Sequence, residues 1–393
     1  MENIIKKKFI RLSKSSISSL EKLAVEDVLD NEFLGMGPKV LEFEKMLTAF
    51  FGRKAICVSS GTSALHLALQ AANIGSGDEV LVQSLTYVSS FQAISASGAI
   101  PIACDVDPKT LCLDWKDAEK KITTKTKAIM PVHYSGGVGS LNEIYKLAKK
   151  YKLRVIEDAA HAFGTEYLGK RVGGFGDISC FSFDGIKNIT SGEGGCIVTD
   201  DQEVLRKASD ARLLGVEKDS EKRYEGQRSW DFNVTLQGWR YHMSDIMAAI
   251  GIEQFKRFKD IKNKRKKFAK IYNQLFNESK KIISLSLNFD QVVPHIYVVL
   301  IECKTDREVI RSYLLDKGVQ TGVHYQPNHT LTAFSSMNNI ALDVTESIYP
   351  KLLTLPLHSD LVEDDIRYVA DLLINCTKDG FFKDSNNAVK FDN

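Results

Sequence analysis

Apolar residues in this chain fall into short, nearly unbroken runs, separated by stretches where they recur every three to four positions. The runs AICVSS, EVLVQS, PIACDV, KAIMPVHY and LRVIEDAA read as strands. Their near-continuous apolar character suits strands covered on both faces in a mostly parallel sheet. Between them, TSALHLALQAANI, VSSFQAISASG and SLNEIYKLAKKY carry helical spacing, the first ended by Gly75 and Gly77 and the second by Gly98. CFSF and CIVTD add two further strands. Strand–helix alternation of this kind predicts an α/β fold with a large, doubly wound, mostly parallel sheet.

Residues 20–50 read as helix, from Leu20, Leu23, Ala24, Val28 and Leu29 near a 3.6 period. After the sheet region, MSDIMAAIGIEQFKRF reads as a helix and precedes a long charged helix over 255–276, whose KNKRKK run is expected to be a solvated face or, otherwise, an aid to phosphate binding. Residues 280–377 then read as a compact α+β lobe. VVPHIYVVLIE is its strand, REVIRSYLLDKG a helix stopped by Gly318, and DDIRYVADLLINC its last helix. The expected organisation is a large α/β domain with an N-terminal arm over 1–254, a smaller C-terminal α+β domain over 255–377, and a frayed tail over 378–393. No internal repeat is present.

Composition narrows the classes little. Among 393 residues, 44% are hydrophobic and 26% charged, ordinary for a globular protein, and the formal net charge of +2 favours neither nucleic acid nor a membrane surface as partner. No run reaches the roughly 18 apolar residues of a membrane span, and the basic start MENIIKKKFIRLSKSSISS lacks the apolar core of a signal peptide, so a cytoplasmic location is expected. The 7 cysteines are scattered, with no CxxC pair, and read as buried free thiols in a reducing compartment rather than as metal ligands.

Chemistry is expected beyond the carboxyl ends of the strands, where open α/β sheets bind ligands. Four segments lie there. Ser60-Gly61-Thr62-Ser63 opens a helix, and its free N–H groups suit a phosphate dianion, although Thr62 or Ser63 could equally be a plain N-cap. Val155-Ile156-Glu157-Asp158-Ala159-Ala160-His161 ends a strand in carboxylates. Asp158 there can keep a pyridine nitrogen protonated, and His161 would stand near the ring oxygen unless it is structural. Ser182-Phe183-Asp184-Gly185-Ile186-Lys187-Asn188 runs from an apolar strand into a turn with one lysine and one hydroxyl. A surface-loop lysine is the ordinary alternative. Desolvation beside a cationic ring would instead lower the Lys187 pKa and make it a nucleophile and proton shuttle, with Ser182 bonding a phosphate. The turn GEGG after it is not a dinucleotide fingerprint. Tyr87, in Ser84-Leu85-Thr86-Tyr87, could stack on a flat cofactor or be an ordinary rim tyrosine.

In combination and in this order, SSGTSALHLAL, GDEVLVQSLTYVSS, AIMPVHYSGG, VIEDAAHAFGTEYLGKRVGGFGDISCFSFDGIKNITSGEGG and YHMSDIMAAIG resemble the DegT/DnrJ/EryC1/StrS family of sugar aminotransferases, over residues 8–377. The resemblance implies a fold-type I enzyme dependent on pyridoxal 5′-phosphate (PLP), with Lys187 as the Schiff-base lysine and Asp158 on the pyridine nitrogen. It places His161 beside the ring, Ser182 and the Gly61-Thr62 backbone on the phosphate, and Tyr87 against the ring. It implies a homodimer with shared active sites. The chain departs from the family at Gly238-Trp239-Arg240-Tyr241-His242-Met243, where Arg240 replaces an Asn that reaches the partner's phosphate. An Arg there could bind phosphate through its fork of donors or point elsewhere. Gly322-Val323-His324-Tyr325-Gln326-Pro327-Asn328-His329 is similar to a stretch beside the sugar site, which implies His324 and His329 as substrate contacts.

Lysine rather than histidine at 187 favours transamination over the dehydration run by relatives. The expected reaction takes an amino group from L-glutamate to a nucleotide-linked keto sugar. FIRLSKSS, NEFLGMGPKV and SWDFNVTLQGWRYHMSD resemble VioA-type members, which implies dTDP-4-keto-6-deoxy-D-glucose as acceptor and dTDP-4-amino-4,6-dideoxy-D-glucose, an O-antigen precursor, as product. Transfer at C3 of a 3-keto isomer, and a non-catalytic sugar-sensing regulator on the same scaffold, remain the alternatives.

Overall fold

The computed structural model describes residues 9–383 apart from 229, 338 and 339. Helices α1 (Ser19–Asp30) and α2 (Pro38–Phe51) precede β1 (Lys54–Val58), α3 (Gly61–Ala71), β2 (Glu79–Gln83), α4 (Ser89–Ala96) and β3 (Ile100–Cys104). Next come α5 (Trp115–Lys120), β4 (Thr126–Met130), α6 (Leu141–Tyr151), β5 (Arg154–Asp158) and a small hairpin, β6 (Glu166–Tyr167) with β7 (Lys170–Arg171). β8 (Ile178–Ser182), β9 (Gly195–Thr199), α7 (Gln202–Ala211), α8 (Asp219–Tyr224), α9 (Asp245–Lys256) and α10 (Phe258–Phe276) follow. The chain then forms β10 (Ile282–Ser284), β11 (Tyr297–Ile301), α11 (Arg307–Asp316), α12 (Asp343–Ile348), β12 (Leu352–Leu355) and α13 (Glu363–Cys376).

Seven strands form the main sheet in the order β1-β9-β8-β5-β4-β2-β3. Only β9 runs against its neighbours; it is antiparallel to both β1 and β8, while β8-β5-β4-β2-β3 pair in parallel. Two reversals cancel, so β1 points the same way as β8. The carboxyl ends of β1, β2, β4, β5 and β8 therefore open on one edge of the sheet. Val80, Val82, Ile156 and Ile178 pack with α3 and α4 in one buried layer, while Ala55, Cys57, Phe181 and Val198 pack with α2 and α9 in another. Cover on both faces accounts for the unbroken apolar runs.

The helix expected over 20–50 is two helices. Gly37 caps α2 and Pro38 occupies its first turn. Proline suits that position because its missing N–H would be unbonded there anyway. The carboxylate of Asp245 accepts the N–H groups of Gly37, Lys39 and Val40, which ties this break to α9. The charged helix starts at Phe258 rather than 255, after a change of backbone direction at Arg257. Its KNKRKK run is not wholly solvated: Arg265 is only 3% exposed. Helix α7 was not anticipated, although Val204, Ala208 and Ala211 give it an apolar face.

The second lobe is an antiparallel sheet, β10-β11-β12, packed on α10, α11 and α13. Ile10 bridges to Val319 and is buried in this lobe's core, so the N-terminal arm joins the second lobe rather than the first. Of the tail, residues 378–383 follow α13 with a short turn at Phe381–Lys383, and the remainder lies outside the described residues, as do residues 1–8.

Candidate active site

A cavity of about 490 Å³ lies at the common edge of the five strand ends, within the size range of small-molecule sites. Gly61, Thr62, Tyr87, Asp158, His161, Ser182, Lys187 and His324 all line it. A second hollow, of about 840 Å³ beside α2, α7 and α8, holds none of the predicted residues.

One corner is the start of α3. Ser60 is the N-cap: its hydroxyl accepts the Ser63 N–H at 3.0 Å, and the Ser63 hydroxyl accepts the Ser60 N–H at 2.9 Å. The amides of Gly61 and Thr62 find no acceptor among the described residues and open toward the cavity. Helix starts leave such donors free and carry a partial positive charge. Ser182, ending β8, faces them so closely that a Cβ on Gly61 would lie 2.8 Å from Cβ of Ser182. Two amides, a hydroxyl and a glycine that keeps the approach open form an anion cradle.

Opposite stands Lys187, on the turn after β8. Its Nζ lies 3.5 Å from Nε2 of His295. Burial lowers its pKa to about 8; Asp184 and Asp158 partly oppose the drop and Arg265 adds to it. The amine is thus neutral far more often near neutrality than an ordinary lysine. Arg265 braces the surroundings, donating to the His295 carbonyl at 2.9 Å, the Leu357 carbonyl at 3.2 Å and the Ile186 carbonyl at 3.4 Å.

Asp158 closes β5, buried, with its carboxylate toward the cavity. His161 follows on the same turn. Burial, reinforced by Lys187, His324 and His133, pushes its pKa well below the usual histidine value. The ring is therefore neutral. Its Nδ1 accepts the Ser135 N–H at 3.3 Å, so Nε2 carries the hydrogen and donates to the Tyr325 hydroxyl at 3.0 Å. Tyr87 is 57% exposed, and its ring centroid lies 5.6 Å from that of Tyr325. Two aromatic rings thus flank the cavity, fit to face a flat heterocycle.

Two predicted residues stand elsewhere. His329 is 4% exposed, with Nδ1 2.7 Å from the Ser84 hydroxyl and Nε2 3.4 Å from a Glu346 oxygen; it supports the loop after β2 and does not line the cavity. Arg240 is exposed on the stretch that runs beside the end of β1, where the Tyr241 carbonyl accepts the Ser59 N–H at 2.7 Å. It does not reach this chain's cavity. Sequence reading missed Tyr325 and His295. Tyr325 stood within a quoted segment, and His295 was signalled only by a polar ring at the head of an apolar strand.

The residues fit PLP: an anion cradle, a buried carboxylate for a ring nitrogen, aromatic faces, and a lysine of lowered pKa. Residues 15–374 match the DegT/DnrJ/EryC1/StrS aminotransferase family. The spore coat polysaccharide biosynthesis protein SpsC of Bacillus subtilis is 34% identical over 379 residues, covering 94% of this chain and 97% of that protein. PseC of Helicobacter pylori, an aminotransferase involved in the biosynthesis of pseudoaminic acid, superposes with a TM-score of 0.87 at 29% identity, covering 94% of this chain and 99% of that one. The PLP form of the putative sugar aminotransferase Spr1654 from Streptococcus pneumoniae gives 0.86 at 28% identity over 93% of this chain and 98% of that one.

Proposed function

This chain belongs to the DegT/DnrJ/EryC1/StrS aminotransferase family, and from that premise we propose that it is a PLP-dependent enzyme transferring the amino group of L-glutamate to the keto carbon of a nucleotide sugar. The acceptor of this reading is dTDP-4-keto-6-deoxy-D-glucose, and the product is dTDP-4-amino-4,6-dideoxy-D-glucose for a surface polysaccharide. The observation that carries it is the meeting, in one cavity, of the Lys187 amine, the Asp158 carboxylate and the free amides at the start of α3. SpsC, a spore coat polysaccharide biosynthesis protein, and PseC, an aminotransferase involved in the biosynthesis of pseudoaminic acid, support a sugar as acceptor.

Bound here, PLP would supply an aldehyde for amines to condense with and a ring that draws electron density from the reacting carbon. The Gly61 and Thr62 amides and the Ser182 hydroxyl would hold its phosphate, Asp158 would keep its ring nitrogen protonated, and Tyr87 would lie against its face. Lys187 Nζ would hold the cofactor between turnovers, and its amine, when free, would take the proton from the donor's α-carbon and give it back on the cofactor side. Proton transfer by a positioned base contributes roughly 10²–10⁴-fold. His324, lining the cavity, would face the acceptor.

The reading calls for a second copy of the chain, with Arg240 directed to the partner's phosphate. Support comes from exposed apolar side chains at Trp230, Phe232 and Val234 on the stretch leading to Arg240, and at Leu20, Leu23 and Leu29 on α1. Among the described residues no helix is long and apolar enough to cross a membrane.

The test is incubation with PLP, L-glutamate and a panel of keto sugar nucleotides, with the amino product identified by NMR. The expected result is amination at C4 of the dTDP-linked 4-keto sugar by the wild type and none by Lys187→Ala. Amination at C3 would reassign the acceptor. Full activity in Lys187→Ala, or an absorbance that glutamate leaves unchanged, would overturn the enzyme reading.

A further inference from the structure

Asp158 is gripped from behind. Its Oδ1 accepts the Ala160 N–H at 3.2 Å, and its Oδ2 accepts the hydroxyl of Ser90 at 2.7 Å. Ser90 lies on α4 and is fully buried. Its oxygen is 3.1 Å from Oγ1 of Thr86. Valence sets the direction of this chain. An ionised carboxylate has no hydrogen to give, so the Ser90 hydrogen points to Asp158 and the Ser90 oxygen accepts from Thr86. Thr86 is anchored in turn: Asn328 Nδ2 donates to its carbonyl at 2.8 Å and to the Ser84 carbonyl at 3.0 Å. Asn328 lies on the segment that brings His324 and Tyr325 to the cavity.

An aspartate carboxylate turns easily about its last torsion, which has broad wells. Donors on both oxygens remove that freedom, and a charged acceptor makes each bond stronger than a neutral one. We propose that Ser90, backed by Thr86, is a positioning residue for Asp158: its hydroxyl fixes the carboxylate in the rotation that aims its remaining lone pairs at the cofactor's ring nitrogen. The proposal rests on the reading of Asp158 as the ring-nitrogen partner. It gives the buried hydroxyls of α4 and the loop before it a task. It also connects the acceptor side of the cavity, through Asn328, to the residue that holds the ring.

The test uses cofactor-free full-length protein titrated with PLP and, separately, with 1-deaza-PLP, whose ring has carbon in place of nitrogen. Binding is followed by absorbance and folding by Tm. Ser90→Ala should weaken PLP binding about tenfold, the scale of one lost hydrogen bond to a charged group. It should leave the deaza analogue within about twofold of wild type, because that ring offers Asp158 nothing to bond. Ser90→Thr, which keeps the hydroxyl, should restore PLP binding, and Thr86→Val should give a smaller loss of the same kind. Equal weakening of both ligands, or unchanged PLP affinity, would overturn the proposal. A wild-type chain that binds neither ligand would overturn the reading of the cavity itself, and this proposal with it.

Discussion

Gly61, which opens α3 after β1, and Ser182, which ends β8 two places away in the sheet, approach so closely that a β-carbon on Gly61 would stand 2.8 Å from Cβ and 3.1 Å from Oγ of Ser182. The contact brings the free amides of α3 and the hydroxyl of β8 to the same corner. It also makes the cradle sensitive to a single methyl group.

Gly61→Ala should therefore cost stability where helix propensity alone would favour alanine. Overpacking of this kind typically costs about 1–3 kcal/mol. PLP affinity should fall at least about tenfold as Ser182 is displaced. Urea unfolding and an absorbance titration check the two parts. A variant as stable as wild type with unchanged affinity would contradict the cradle.

Lys187 should burden the cofactor-free fold. Its pKa falls from 10.5 to about 8, mainly by burial. Below about pH 8 the amine is charged in both folded and unfolded chains, and the folded state bears the whole cost of the buried charge. Between about pH 8 and 10.5 only the unfolded chain keeps the proton, so that cost disappears as the pH rises. Lys187→Met should thus be more stable than wild type at pH 7, by at most about 3 kcal/mol. The gap should narrow steadily above pH 8. Melting curves from pH 6 to 10 read it directly, and a gap that widens with pH would refute the assignment.

The buried pair Arg212–Glu44 should matter more than any surface ion pair. Its nitrogen and oxygen lie 2.5 Å apart, with the Arg212 side chain 1% exposed. Arg212 also donates to the Cys57 carbonyl at 2.7 Å, and Glu44 accepts the Cys57 N–H at 2.7 Å, which fixes β1 just before the cradle. Removing either partner strands a buried charge, at a cost of about 3–5 kcal/mol. Arg212→Met and Glu44→Gln should each lower the urea midpoint markedly, and the double variant should be less destabilised than the sum of the two.

His324 and His329 should separate by phenotype. His324 lines the cavity, with Nδ1 2.9 Å from the Thr354 hydroxyl. His324→Leu is expected to raise KM for the sugar nucleotide while Tm moves little. His329→Leu removes the partner of the buried Ser84 hydroxyl and should cost about 1–3 kcal/mol. Any kinetic effect should follow from disturbance of the loop that carries Tyr87. Steady-state kinetics beside melting curves would settle both, and a large KM change at full stability in His329→Leu would place that ring at the substrate after all.

Much of the architecture was legible in the chain because burial on both faces leaves a strong local mark. Val80, Val82, Ile156 and Ile178 face one helical layer and Ala55, Cys57, Phe181 and Val198 face the other, so successive strand positions are apolar. The cavity residues Asp158 and Ser182 end such runs, and Gly61 and Lys187 stand on the turns that follow them. Local order thus determined the strands, their helices and the four segments of the cavity. It did not determine the break between α1 and α2, where Asp245 from another helix caps Gly37 and Val40.

Only tertiary structure decided which side chains meet Lys187 and Asp158 and which line the cavity. His295 reaches Lys187 across 108 positions, Ser90 reaches Asp158 across 68, and His329 turns away from the cavity to Ser84 across 245. Ile10 left the large domain for the core of the small one by pairing with Val319. The reason is physical: periodicity records whether a residue is covered, whereas a hydrogen bond depends on where two distant backbones place its donor and acceptor. Contacts of that kind leave no trace in the order of residues around either partner.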